Sequence, residues 1–285
     1  MNVNPSVRVF APELWGELQK FAKFYSPTFE FTSIQQRAVS GAVNHFHKSL
    51  RFNDLALKLK PNLNLDLEQL NEHGYTPAEN SYELSAVIES IFTELYSSID
   101  CTRKIIVVIY QNCRGLPTGS TRKLFHTIRE KKVSVDLPDA LKMAIEDAEW
   151  YDDLLNIRDE LTHSDIGTCH LNEKTGKIQY MHTGIKKRGK PLIIEDIFEI
   201  TTKFINSVNE FLGKVFKFLN SLLRNDPVTQ LCGFFFGRGY MREITPSEVV
   251  DFDSGICIST WFELDENLTC PFACSCGAYK RAKVK

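Results

Sequence analysis

The sequence predicts a mainly helical protein: a four-helix up-and-down bundle with extra N-terminal helices, a β-hairpin insertion and a small β-rich C-terminal appendage. Three observations carry that expectation. Between residues 80 and 224, apolar residues recur at helical spacing in long runs. Most links between those runs are short, and short links make helices antiparallel neighbours. After Arg224-Asn225-Asp226-Pro227, glycines punctuate short aromatic and β-branched stretches, the pattern of strands and tight turns.

The N-terminal extension, residues 1–78, opens with Pro12 and the run Glu13 to Phe24, read as a short helix. Ser33 then precedes Ile34, Ala38, Ala42, Phe46 and Leu50, the stripe of a capped amphipathic helix. His45 and His47 on that helix are two positions apart and point to different faces, so they make poor co-ligands. Leu63, Leu65 and Leu67 alternate with polar residues, which fits a short strand or an extended connection equally well. Gly74 to Pro77 marks a boundary.

In the bundle, residues 79–224, Leu84, Ile88, Ile91, Leu95, Ile99, Ile106 and Ile109 define one long helix ending near Gly115-Leu116-Pro117. Ser120 to Lys131 forms a shorter second helix. Asp136 and Pro138 start a third, whose stripe of Leu141, Ile145, Ala148, Tyr151 and Leu155 runs on to His163 before Gly167 stops it. Residues 168–190 read as a hairpin turning at Asn172 to Gly176. The fourth helix carries Ile197, Ile200, Phe204, Val208, Phe211, Val215, Phe218 and Leu222 on one face. Residues 225–285 form the β-rich appendage.

Composition narrows the function without choosing it. The chain of 285 residues is 43% hydrophobic and 25% charged, ordinary for a soluble globular protein. A net charge of -2 argues against non-specific coating of nucleic acid, which needs a broad excess of Lys and Arg. The start, Met1-Asn2-Val3-Asn4-Pro5, has no signal-peptide character, and no segment has the roughly 20 apolar residues of a membrane span. A cytoplasmic location without membrane partners is therefore the expectation.

The most informative stretch is Arg158-Asp159-Glu160-Leu161-Thr162-His163 at the end of the third helix. Arg is permanently cationic and forks onto phosphate oxygens, whereas His can give or take a proton near neutrality. Asp159 and His163 are one helical turn apart, so the carboxylate can orient the imidazole while Arg158 binds a phosphate and the charge that develops on it. With a ribose 2′-hydroxyl as nucleophile, such a site cleaves RNA and needs no metal cofactor for catalysis. The bland reading of the same residues is a solvated helix end.

This Arg-Asp-x-x-x-His pattern resembles the signature of the HEPN superfamily: Arg, a polar residue, three variable residues, then His. The resemblance covers roughly residues 80 to 224. The polar-studded segment Glu94-Leu95-Tyr96-Ser97-Ser98-Ile99-Asp100 also resembles one that many HEPN proteins carry. The resemblance implies a metal-independent endoribonuclease of toxin–antitoxin or antiviral defence, working as a homodimer with a composite site and restrained by an antitoxin or other defence-system partner. It further implies Arg158 as phosphate binder, Asp159 as polar orienter and His163 as acid/base; Glu94, Tyr96 and Asp100 stay secondary candidates. Some superfamily members are catalytically silent binding modules, which is the competing reading.

Two further features bear on partners. Lys186, Lys187, Arg188 and Lys190 follow the hairpin and offer sequence-independent phosphate contacts, or else are only a solvated turn. Cys257, Cys270, Cys274 and Cys276, with Cys232 as an alternative fourth ligand, have the residue type for a structural zinc. Their irregular spacing favours free thiols over the metal.

Overall fold

The computed structural model describes residues 7–131, 134–163, 166–187, 190–247, 249–259 and 266–284. Within those segments the side chains of 162, 163, 183, 185–187, 190, 191 and 266 fall outside the description. The protein is mainly helical with two small antiparallel sheets. The chain divides into two compact units, Thr32–Val215 and Met1–Phe31 with Phe216–Lys285. This division falls elsewhere than the sequence punctuation near residues 78 and 225.

The first helix, α1 (Glu17–Phe24), belongs to the smaller unit. In the larger unit, α2 (Ser33–Leu59) starts one residue earlier than expected, at a Thr32 cap. Gln35 N donates to Thr32 Oγ1, and Thr32 N donates back to Gln35 Oε1. After a 3-10 turn at Lys60–Asn62, the leucine alternation proves helical as α3 (Leu63–His73). Leu63 is buried while Leu65 and Leu70 are exposed, so tertiary burial selects one leucine where the local pattern offers three. Gly74 closes α3 at φ 75°, in the left-handed region that glycine adopts without strain.

Helix α4 (Glu79–Ile109) is the central element. Leu84, Ile88, Ile91, Leu95, Ile99 and Ile106 are all buried, as their spacing predicts. The β-branched run that would pass for a strand in isolation stays helical to Ile109, where Ile105 and Ile106 are buried in the core. The N-terminus of α4 is capped across the fold: Asp66 of α3 accepts from Ser81 N (2.8 Å) and Asn80 Nδ2 (2.7 Å). Along α4 runs α2 in antiparallel orientation, with Ser98 Oγ donating to Ala42 O at 2.8 Å. Ala38, Gly41 and Ala42 on one helix and Ser98 on the other are small enough to let the backbones close together. The four-helix expectation placed α2 outside the bundle; it is in fact the most extensive helical neighbour of α4.

Helix α5 (Thr121–Glu130) lies within the expected segment, with Ser120 as its cap. The expected third helix is two helices, α6 (Asp139–Glu146) and α7 (Tyr151–His163). No Gly or Pro marks the break. Lys214 holds Asp147 at 2.9 Å, Glu149 N turns back to Asp147 O, and Tyr151 stacks on Phe125 with centroids 3.8 Å apart. The hairpin gains a third strand: β2 (Thr168–Leu171), β3 (Ile178–Lys187) and β4 (Lys190–Ile194) form one meander. Helix α8 (Ile197–Ser221) meets α4 through Phe204 and Phe92, centroids 5.8 Å apart. Its buried face drifts to Val215, Phe216 and Leu219, leaving Leu222 40% exposed at the end of the expected stripe.

In the smaller unit, β1 (Val7–Arg8), β5 (Val228–Phe235), β6 (Arg238–Ile244) and β7 (Ile256–Cys257) form one antiparallel sheet in that order. Phe10, Phe24, Val228 and Ile244 make its core with Trp15 beside them. Gly233 is required where β1 crosses, because a Cβ there would stand 2.4 Å from Val7 O. A short helix, α9 (Gly277–Lys283), ends the described chain. Among the described residues no helix is long and apolar enough to cross a membrane.

Candidate functional site

The Arg158/Asp159 pair lies where α4, α5 and α7 meet. Helices α5 and α7 run antiparallel and are tied at two levels: Arg129 Nη1 and His126 Nε2 to Asp152 at one end, Arg122 to Asp159 at the other. Asp159 uses both oxygens on guanidinium groups. Oδ1 accepts from Arg158 at 3.0 Å and Oδ2 from Arg122 at 2.5 Å. The Arg158 guanidinium sits 4.9 Å from the centre of the Tyr96 ring, a cation–π contact. Tyr96 in turn stacks on Tyr151, itself on Phe125. Burial, with the Tyr96 phenol beside it, pushes the Tyr151 hydroxyl far above the ordinary phenol range.

The sequence spacing predicts that Asp159 orients His163. Among the described residues the partners of Asp159 are the two arginines. The helix carries the backbone of His163 one turn beyond Asp159, on nearly the same row, and the His163 side chain lies outside the described residues.

The secondary candidates separate. Tyr96 belongs to the site. Asp100, one turn further along the same α4 face, ties α4 to α5: it accepts from Thr121 Oγ1 at 2.6 Å and pairs with Arg103 and Lys104. Burial alone would raise the Asp100 carboxyl, but Lys104, Thr121 and Arg103 together hold it below the ordinary range. Glu94 faces the other way, toward α2, where Lys48 Nζ and His45 Nδ1 each approach it to 2.6 Å. It lines an open groove with Lys48, Glu89 and Leu161, and Leu161 is on the side of α7 away from the Asp159 row.

The basic turn joins β3 to β4, with Lys187 paired to Lys190 and Lys186 to Pro191 in the ladder. Arg188 and the Lys186, Lys187 and Lys190 side chains lie outside the described residues. Thr168, the first residue of β2 after α7, pairs with Met181, and β3 continues past that point toward the turn.

Arg122 was missed by sequence reasoning. The row Arg122, His126, Arg129 along α5 was legible at i, i+4, i+7, but its acidic partners come from a helix some thirty residues later. The arrangement concentrates positive charge: two guanidinium groups flank one carboxylate beside the N-terminal, electropositive end of α5.

None of the eight cysteines is in a disulfide, and the structure sorts them differently from their spacing. Cys257, Cys270 and Cys276 line one small void together with Cys232, whereas Cys274 is exposed. Burial pushes the Cys232 and Cys270 thiols up, and a hydrogen bond from Arg242 pulls Cys232 partly back. Among the described residues, no three His, Cys, Asp or Glu side chains already stand at metal-binding geometry.

Against known proteins, no family model, no curated protein and no solved structure matches the chain.

Proposed function

We propose that the end of α7 is an RNA-cleaving site of HEPN type, with α4, α5, the α6–α7 pair and α8 as the bundle that presents it. The observation that carries this reading is the pair of guanidinium groups, Arg122 and Arg158, brought together from two helices beside the row that leads to His163. Arg158 grips the scissile phosphate and offsets the charge of the phosphorane. His163 removes the 2′-hydroxyl proton or protonates the departing 5′-oxygen. Asp159 holds the two arginines in register and, one helical turn before His163, keeps the orienting role in this reading. The lysine turn between β3 and β4 supplies backbone contacts. A homodimer with two such sites facing one another would enclose the strand, and a cytoplasmic defence or toxin–antitoxin setting with a restraining partner fits that activity.

A second reading has its own support. Asp159 satisfies both arginines, which is also how a purely structural helix clasp is built, and a binding module without catalysis would need nothing more. Purified protein incubated with single-stranded and structured RNA in EDTA separates the two. The nuclease reading expects a 2′,3′-cyclic phosphate and a 5′-hydroxyl, no cutting at a 2′-deoxy nucleotide, and rates lowered by about 10² or more for His163→Ala and Arg158→Ala. RNA retention without cleavage, with the same affinity in His163→Ala, would establish the binding module instead.

A further inference from the structure

Among the described residues, Arg242 on β6 is the largest fully buried side chain, 2% exposed. Among the described residues its partners are two carbonyls, two sulfurs and aromatic faces, and no carboxylate. Nη1 donates to Phe252 O (2.6 Å) and Ser254 O (2.7 Å), Nε to Cys232 Sγ (3.0 Å) and Nη2 to Cys276 Sγ (3.6 Å). The Phe10 ring lies 3.9 Å from its carbon. A guanidinium removed from water without a counter-charge is costly, so the groups around it are the natural place to look for negative charge.

Those groups are thiols, gathered from four places in the chain. The ladder sets Cys257 of β7 directly opposite Arg242, which puts both on the same face of the sheet. Cys232 occupies the bulge between Leu231 and Gly233, where its carbonyl accepts from Val9 N and Phe10 N, and a bulge re-aims a side chain. Cys276 precedes α9, and Cys270 comes from the turn before it. The four line one void of ≈ 20 Å³, room for about one water-sized atom.

We propose that Cys232, Cys257, Cys270 and Cys276 bind one zinc ion, with Arg242 as the positioning residue that neutralises the thiolates. Cys274, which the spacing suggested as a ligand, is outside the set, and Cys232 takes its place. Each thiol releases its proton to solvent as its sulfur–zinc bond forms. A zinc with four thiolates is doubly negative, and the N–H groups that Arg242 directs at Cys232 and Cys276 offset part of that charge. The four thiols line the void but do not already stand at metal-binding geometry, so binding draws them inward. A unit with a small core gains folding free energy from such a closure.

The test is metal analysis of the full chain purified without chelator, followed by cobalt substitution. We expect about one zinc per chain and, with cobalt, the visible spectrum of a tetrahedral tetrathiolate. Cys232→Ser should lose the stoichiometric metal and Cys274→Ser should keep it. Arg242→Lys should weaken zinc about 10-fold or more in competition with a chromophoric chelator. Should Cys232→Ser fail to fold, the cobalt spectrum of the unaltered chain still reports its thiolate ligands. A chain that neither carries zinc nor takes it up when reduced would overturn the proposal, as would metal lost with Cys274→Ser and retained with Cys232→Ser.

Discussion

The closeness of α2 and α4 can be tested at a single atom. A Cβ added at Gly41 would stand 2.7 Å from Cys101 Sγ, while the next atoms, Cys101 Cβ and His45 Cδ2, are at 3.7 and 3.8 Å. Two effects then compete in Gly41→Ala. Alanine in a helix interior gains roughly 1 kcal/mol over glycine, and overpacking a tight core contact costs about 1–3 kcal/mol. The sulfur is one torsion from the backbone of a helix, where few χ1 wells are open, so it has little room to give. We expect a net loss of about 1 kcal/mol with Cys101 in place. Cys101→Ala removes only the sulfur and leaves contacts of ordinary van der Waals length, so in that background the same change should stabilise by about 1 kcal/mol. The sign therefore reverses, a coupling of about 2 kcal/mol. Urea unfolding midpoints of the four proteins, monitored by tryptophan fluorescence and circular dichroism, measure it. Equal effects of Gly41→Ala in both backgrounds would mean that the helices lie further apart than this contact requires.

Glu94 should make stability depend on pH in a defined direction. Burial alone would raise its carboxyl, but hydrogen bonds from Lys48 and His45 and their charges hold it below the ordinary range. A depressed folded-state value contributes stability that is full above the unfolded value of about 4.3 and is lost as pH falls through the folded one. Because Lys48 is 56% exposed, solvent screening limits the contribution to about 1 kcal/mol. The stability gap between the unaltered chain and Glu94→Gln should shrink below pH ~4; a gap that widens on acidification would refute this assignment. Gly167→Ala should destabilise by about 3 kcal/mol or more, since its Cβ would lie 2.4 Å from the Tyr180 ring. Tyr180 cannot easily move away, because its hydroxyl is held at 2.7 Å by Glu89, which also accepts from Gly167 N. A thermal midpoint unchanged by this substitution would show that the loop entering β2 repacks freely.

Much of the helical content was legible because burial repeats locally. The stripe from Leu84 to Ile106 depends on residues within a few turns of one another, so the periodicity that marks it is written in one stretch of sequence. The Arg158-Asp159 motif was legible for the same reason. Tertiary structure decided whatever depended on partners distant in the chain. The break between α6 and α7 is made by Lys214 and Phe125, not by a breaker residue. The segment of Leu63, Leu65 and Leu67 is helical with Leu63 buried and Leu65 exposed, and α2 joined α4 through small residues that no periodicity singles out. Asp159 met Arg122 across α5, and Cys232 displaced Cys274 around the void because a β-bulge and a strand register, not spacing, bring sulfurs together. Local periodicity thus marked most of the helices, with α3 and the break between α6 and α7 as the exceptions. Long-range packing determined which charges and thiols face one another, because the energy of a charge depends on what surrounds it and not on what precedes it in the chain.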